Sequence, residues 1–212
     1  MTTFWVLIGL TLVVAAADWW AVSTDRRQVE YVLKPLTMVV LIAAALALPD
    51  PVTDGARLFM VVGLVCSLAG DVFLMLDERL FLGGLVSFLV GHVMYIIGLL
   101  RFDEITPPLL FVGVLVVLVA AAVIGSRVVR GATADDERMT GPVAVYMAVI
   151  SLMVVMAFGT AVPIAIAGAV LFYASDGILG WNKFVEPVPH GRVAVMTTYH
   201  LGQIGLVLAL AS

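Results

Sequence analysis

Two aspartates stand inside otherwise apolar stretches: Asp71 in the run Cys66 to Leu76, and Asp176 in the run Leu171 to Gly180. A carboxylate in a membrane-spanning helix costs about 2.5 to 3.5 kcal/mol or more, so one that is kept has a use. Paired carboxyls in such a setting can serve as a general acid and its ionised partner, or as the proton or cation sites of a small transporter. With His92 and His200 they could also supply zinc ligands. No compact His-Glu-x-x-His spacing joins these residues, so no metal or other cofactor is expected. The remaining reading of the two acids is polar contact between helices, worth only about 0.6 kcal/mol per pair on average.

The elements that must position these residues are membrane helices. The chain has 212 residues, 63% hydrophobic and 12% charged, with a mean hydropathy of +1.15. Soluble domains are roughly 45–50% apolar and 25% charged, so an all-α integral membrane bundle is expected. Apolar runs bounded by charge or proline predict eight helices, at 4–22, 31–48, 57–76, 80–100, 109–126, 142–158, 162–181 and 192–211. The sixth and seventh are separated only by Gly159 to Pro163, whose helix breakers predict a hairpin. These spans use up the chain and leave one domain over 1–212. The first run ends in three alanines that resemble a signal cleavage site, but Met1-Thr-Thr carries no Lys or Arg and the helix reads as retained. Cys66 is the single cysteine and cannot pair within the chain. No basic stripe offers itself to nucleic acid.

Orientation follows from the basic residues. Counting loops from the N-terminus, the odd ones hold Arg26, Arg27, Lys34, Arg79, Arg127, Arg130, Arg138, Lys183 and Arg192, whereas the even ones hold only Arg57 and Arg101. Nine against two places the odd loops in the cytoplasm and both termini outside. Asp71 then lies roughly 9 Å, and Asp176 roughly 10 Å, inside the cytoplasmic ends of their helices, at a rise of about 1.5 Å per residue. Asp18, His200 and Gln203 fall in the same half, and Lys34 at its boundary. His92 alone reaches the midplane. A polar cavity open toward the cytoplasmic leaflet accounts for this grouping. Asp18 also precedes Trp19 and Trp20, so it could be an interfacial acid beside an aromatic belt.

An internal echo runs through the chain, with Gly70-Asp71 followed by Gly91-His92 and Ser175-Asp176 followed by Tyr199-His200. Two halves in parallel orientation would bring the aspartates to related places. Tyr31 to Thr37 with Lys34 and Pro35, Gly70 to Leu76, Phe88 to Tyr95, Ser175 to Phe184 and Tyr199 to Gln203 together resemble the lysoplasmalogenase (YhhN-like) family of eight-helix membrane proteins. A departure is His200, where an aromatic such as Tyr is expected.

The resemblance implies hydrolysis of the vinyl ether bond of a lysoplasmalogen, giving a fatty aldehyde and glycerophosphoethanolamine or glycerophosphocholine. That reaction needs an acid to protonate the alkene carbon and a carboxylate to hold the resulting cation and orient water, the division of labour found in glycosidases. Asp71 and Asp176 are the expected pair, either one being the acid. His92 would assist them, and Tyr95, Tyr199, Gln203 and Asn182 would line the substrate site. Lys34 would meet the lipid phosphate at the interface, while Asp18 and His200 stay without an assigned role. The expected partners are a lysophospholipid substrate and membrane lipid. Small-residue spacings at Gly9, and at Gly63 with Gly70, allow helix contacts, a homodimer among them. The bias of Arg over Lys, nine to two, with abundant Ala, Val and Gly fits a bacterial inner membrane.

Overall fold

The computed structural model describes residues 1–102 and 104–212. The helices are α1 (Thr2–Ser23), α2 (Arg27–Ala47), α3 (Asp54–Leu76), α4 (Phe81–Leu99), α5 (Pro107–Ala120), α6 (Ser126–Asp135), α7 (Thr140–Gly159), α8 (Pro163–Phe184) and α9 (Gly191–Leu208). Short helical turns join several of them, and there is no strand among the described residues. Among the described residues, eight stretches are long and apolar enough to cross a membrane, with α5 and α6 together making the fifth. This is a multi-pass, all-helical membrane protein.

Local sequence explains several of the ends. Thr53 caps α3 by accepting a hydrogen bond from the Ala56 amide at 2.9 Å. Pro107 and Pro163 sit in the first turns of α5 and α8, where a missing N–H costs nothing. Between α7 and α8, Thr160 to Val162 turns the chain with Ala161 at φ 58°, so the expected hairpin forms.

Two boundaries differ from expectation in ways that matter. Helix α2 begins at Arg27 rather than near 31, which draws Lys34 two turns into the bundle. The fifth span does not stop near 126: it passes through a five-residue π-turn at Ala121–Gly125 into α6. There Val128 and Ala132 are buried with Val143 in a small cluster of their own, and that burial holds residues the charge pattern assigned to a loop.

Packing relies on glycine where backbones approach. Helix α8 lies along α9, and a Cβ on Gly168 would stand 2.8 Å from the Leu206 amide nitrogen, while one on Gly202 would stand 2.8 Å from that of Phe172. Helix α3 lies along α4, where Gly63 receives the Tyr95 ring and Gly70 the Phe88 ring. Those two glycines are therefore occupied within the chain, whereas Gly9 faces open space. Gly202→Val is expected to destabilise the protein by about 1–3 kcal/mol or more, because backbone rather than a flexible side chain must give way. Thermal unfolding in detergent measures this.

Candidate active site

The ends of α1, α3 and α8 and the starts of α2 and α9 enclose a cavity of about 720 Å³. Both aspartates line it, Asp71 from α3 and Asp176 from α8. Lys34, Asn182 and Tyr199 line it as well.

Asp71 is held from two sides. Lys34 Nζ lies 3.0 Å from its Oδ1, and the Tyr199 hydroxyl donates to its Oδ2 at 2.7 Å. Lys34 is 5% and Asp71 1% exposed, so this is a buried ion pair in which each charge needs the other. The interfacial place expected for Lys34 is corrected by the earlier start of α2. Its ammonium lies inside, on a carboxylate.

Asp176 has a different environment. Its Oδ2 accepts a hydrogen bond from the Tyr146 hydroxyl of α7, and His92 Nε2 of α4 stands 3.7 Å from the same oxygen. No Lys or Arg pairs with it among the described residues. His92 is fully buried against the rings of Phe172 and Tyr146, with centroids 4.7 Å and 5.3 Å away, and neither ring nitrogen has a hydrogen-bond partner. It does not line the cavity.

Behind this layer a buried chain crosses the bundle. Tyr95 donates to Gln203 Oε1 at 2.7 Å, which leaves Ser67 to donate to the Tyr95 oxygen at 3.2 Å. Tyr95 and Gln203 thus sit one layer behind the cavity wall. Asn182 lines the cavity, and its Oδ1 accepts from the Val188 amide at 2.6 Å, fixing the loop that leads into α9. A Cβ on Gly191 would stand 2.3 Å from Asn182 Nδ2, so the chain passes this side chain very closely.

Asp18 and His200 lie elsewhere. His200 Nδ1 accepts from Trp19 Nε1 at 3.1 Å across the α1–α9 contact. Asp18 is fully buried with neither oxygen partnered among the described residues, so it is not an interfacial acid: Trp20 faces outward and Asp18 inward. Among the described residues, no three His, Cys, Asp or Glu side chains converge as a ligand set.

Sequence reasoning missed Tyr146, which reads as an ordinary packing residue in an apolar span, and the mouth of the cavity. There Arg192 donates to Glu30 Oε2 at 2.6 Å and to Asp25 Oδ1 at 2.8 Å, tying the start of α9 to the start of α2. Charged residues at both helix starts were the available signal.

The profile of the YhhN family matches residues 29–210, nearly the whole of this framework. The chain belongs to the YhhN family. It is 33% identical over 147 residues to human lysoplasmalogenase TMEM86B, a match covering 69% of this chain and 60% of that protein. Bovine lysoplasmalogenase TMEM86A is 30% identical over 167 residues, covering 74% and 65%. The lysoplasmalogenase of Mycobacterium tuberculosis is 32% identical over 153 residues, covering 70% and 58%. The chain spans about three fifths of the length of the curated relatives it matches. No solved structure matches. The YhhN family match takes in Lys34, Asp71, His92, Tyr146, Asp176 and Tyr199, and leaves Asp18 and Trp19 outside it.

Proposed function

We propose that this protein hydrolyses the vinyl ether bond of a lysoplasmalogen, releasing a fatty aldehyde and a glycerophosphoethanolamine or glycerophosphocholine. The observation that carries the reading is two carboxyls on one cavity with opposite partners: Asp71 beside a buried ammonium, Asp176 beside a tyrosine and a histidine. A cation within hydrogen-bond reach favours the ionised carboxyl, and burial without one favours the neutral form. Asp176 is then the acid and Asp71 the carboxylate.

The Asp176 carboxyl gives its proton to the alkene carbon one removed from oxygen, leaving an oxocarbenium ion on the carbon that bears the oxygen. Asp71 stabilises that cation and takes a proton from the water that attacks it. The hemiacetal so formed expels the glycerol oxygen, which takes the proton from Asp71 and leaves as an alcohol, while the hemiacetal hydroxyl gives its proton to Asp176, so that the aldehyde is released and both carboxyls return to their starting states. One water is consumed, and neither oxidant nor metal enters the balance. Tyr146 keeps Asp176 oriented by its hydrogen bond, with His92 packed beside it, and Tyr199 orients Asp71.

Most of the cavity lining comes from the ends of α1, α3 and α8, the starts of α2 and α9 and the loop between α8 and α9, with Phe88 and Tyr199 contributed from the middles of α4 and α9. This supports a pocket entered from one side of the membrane rather than a conduit across it, and the distribution of Lys and Arg favours the cytoplasmic side. The test is aldehyde release by the purified protein from a lysoplasmalogen and from its saturated 1-O-alkyl analogue. Aldehyde is expected from the first and none from the second, which has no alkene to protonate. Release from neither would refute the reading.

A further inference from the structure

Beside Asp176 a narrower pocket of about 40 Å³ adjoins the cavity as a side branch, with Leu74, Phe88, Asp176 and Leu179 in the walls of both. The far walls come from α4, α6 and α7 through Leu85, Val128, Val143 and Met147. Apart from Asp176 and Tyr146, every described side chain lining the branch is apolar. The branch is built tightly: a Cβ on Gly131 of α6 would stand 2.0 Å from the Phe184 carbonyl oxygen, and one on Gly180 would stand 3.0 Å from Val128 Cγ1. At its outer end the Phe81 and Phe184 rings meet edge to face, 5.9 Å apart, with Lys183 Nζ 4.6 Å from the Phe81 centroid.

We infer that this branch takes the hydrocarbon chain of the substrate, beginning at the carbons next to the scissile bond, an inference that rests on the vinyl ether reading. In such a lipid the reacting carbons are the first of the chain, with the headgroup on one side of them and methylenes on the other. The cavity mouth carries Arg27, Glu30 and Arg192, which suit a charged headgroup. The acid lies where the polar cavity gives way to the apolar branch, so a lipid with its headgroup at the mouth and its first carbons at Asp176 directs its methylenes inward there. A space of this size corresponds to roughly three waters, enough for a short run of methylenes. The rest of the chain leaves past the half-buried Phe81 and Phe184, at the adjoining ends of α4 and α8.

Val143→Phe narrows the branch at a residue that does not touch the main cavity. With hexadecenyl and butenyl lysoplasmalogens as probes, this variant is expected to lower the hexadecenyl-to-butenyl ratio of kcat/KM about tenfold or more. Met147→Ala, which widens the branch and does not depend on the first variant folding, is expected to raise kcat/KM for a chain carrying a methyl branch near the vinyl ether about threefold or more, relative to the straight chain. An unchanged ratio in folded Val143→Phe, or no relative gain in Met147→Ala, overturns the assignment of the branch while leaving vinyl ether hydrolysis standing. Absence of aldehyde from every probe with the unaltered protein overturns both.

Discussion

Asp176→Asn is expected to cut aldehyde release from a lysoplasmalogen about a hundredfold to ten-thousandfold, the range for losing a general acid, in protein that still inserts and folds. The substitution keeps the size of the side chain, and its amide oxygen can still accept the Tyr146 hydrogen bond. It cannot give a proton to an alkene carbon. Stability is expected to change little, because no buried cation is left unpaired: the nearest basic group is His92 at 3.7 Å. Asp71→Asn behaves differently. It leaves the Lys34 ammonium 5% exposed without its carboxylate, so activity and stability fall together. Rates and unfolding temperatures measured on the same two preparations separate the acid from the ion-paired partner. If Asp176→Asn kept near-normal turnover, the assignment of the acid would be wrong.

Lys34→Met has the largest expected effect on stability. It leaves Asp71, 1% exposed, as an uncompensated charge, and breaking a buried pair from one side costs about 3–5 kcal/mol. Aldehyde release is expected to be lost as well, because Asp71 then survives in the fold only by taking up a proton and no longer serves as the anion. The double replacement Lys34→Met with Asp71→Leu removes both charges. It is expected to recover most of the stability and none of the activity, since well-packed apolar groups often replace a buried pair without loss. Thermal unfolding of the two proteins in detergent, beside their turnover, distinguishes this from a Lys34 that only meets a lipid phosphate. That Lys34 would tolerate Met with little change in unfolding temperature.

The spans and the meeting of the two aspartates were legible because both follow from simple arithmetic. Apolar run lengths set the helices, and the rise per residue placed Asp71 and Asp176 at similar depth, where the structure joins them on one cavity. The burial of Lys34 was hidden behind a helix start. Arg27, Gln28 and Glu30 are polar, so hydropathy began α2 four residues late and left Lys34 at its edge. Tyr146 was hidden for another reason, because its hydroxyl acquires meaning only when α7 crosses α8 beside Asp176, and nothing in the local sequence announces that crossing. The turns from Ser126 to Asp135 are amphipathic and charged on one face, so a search for continuous apolar runs ended the fifth span early. His200 shares depth with the site but meets Trp19 across the α1–α9 contact, and Asp18 is buried with neither oxygen partnered among the described residues. Depth can be counted along a chain, whereas the face a residue presents needs the neighbouring helix.

In the proposed reaction a carboxyl protonates the alkene and water then attacks the ether-bearing carbon of the chain. Hydrolysis of a lysoplasmalogen in water enriched in oxygen-18 tests it directly, because the oxygen of the released glycerophospholipid hydroxyl does not exchange with solvent. That hydroxyl is expected to carry no label, the new oxygen residing in the aldehyde. Label in the glycerophospholipid hydroxyl would show cleavage on the glycerol side of the ether oxygen and contradict the account.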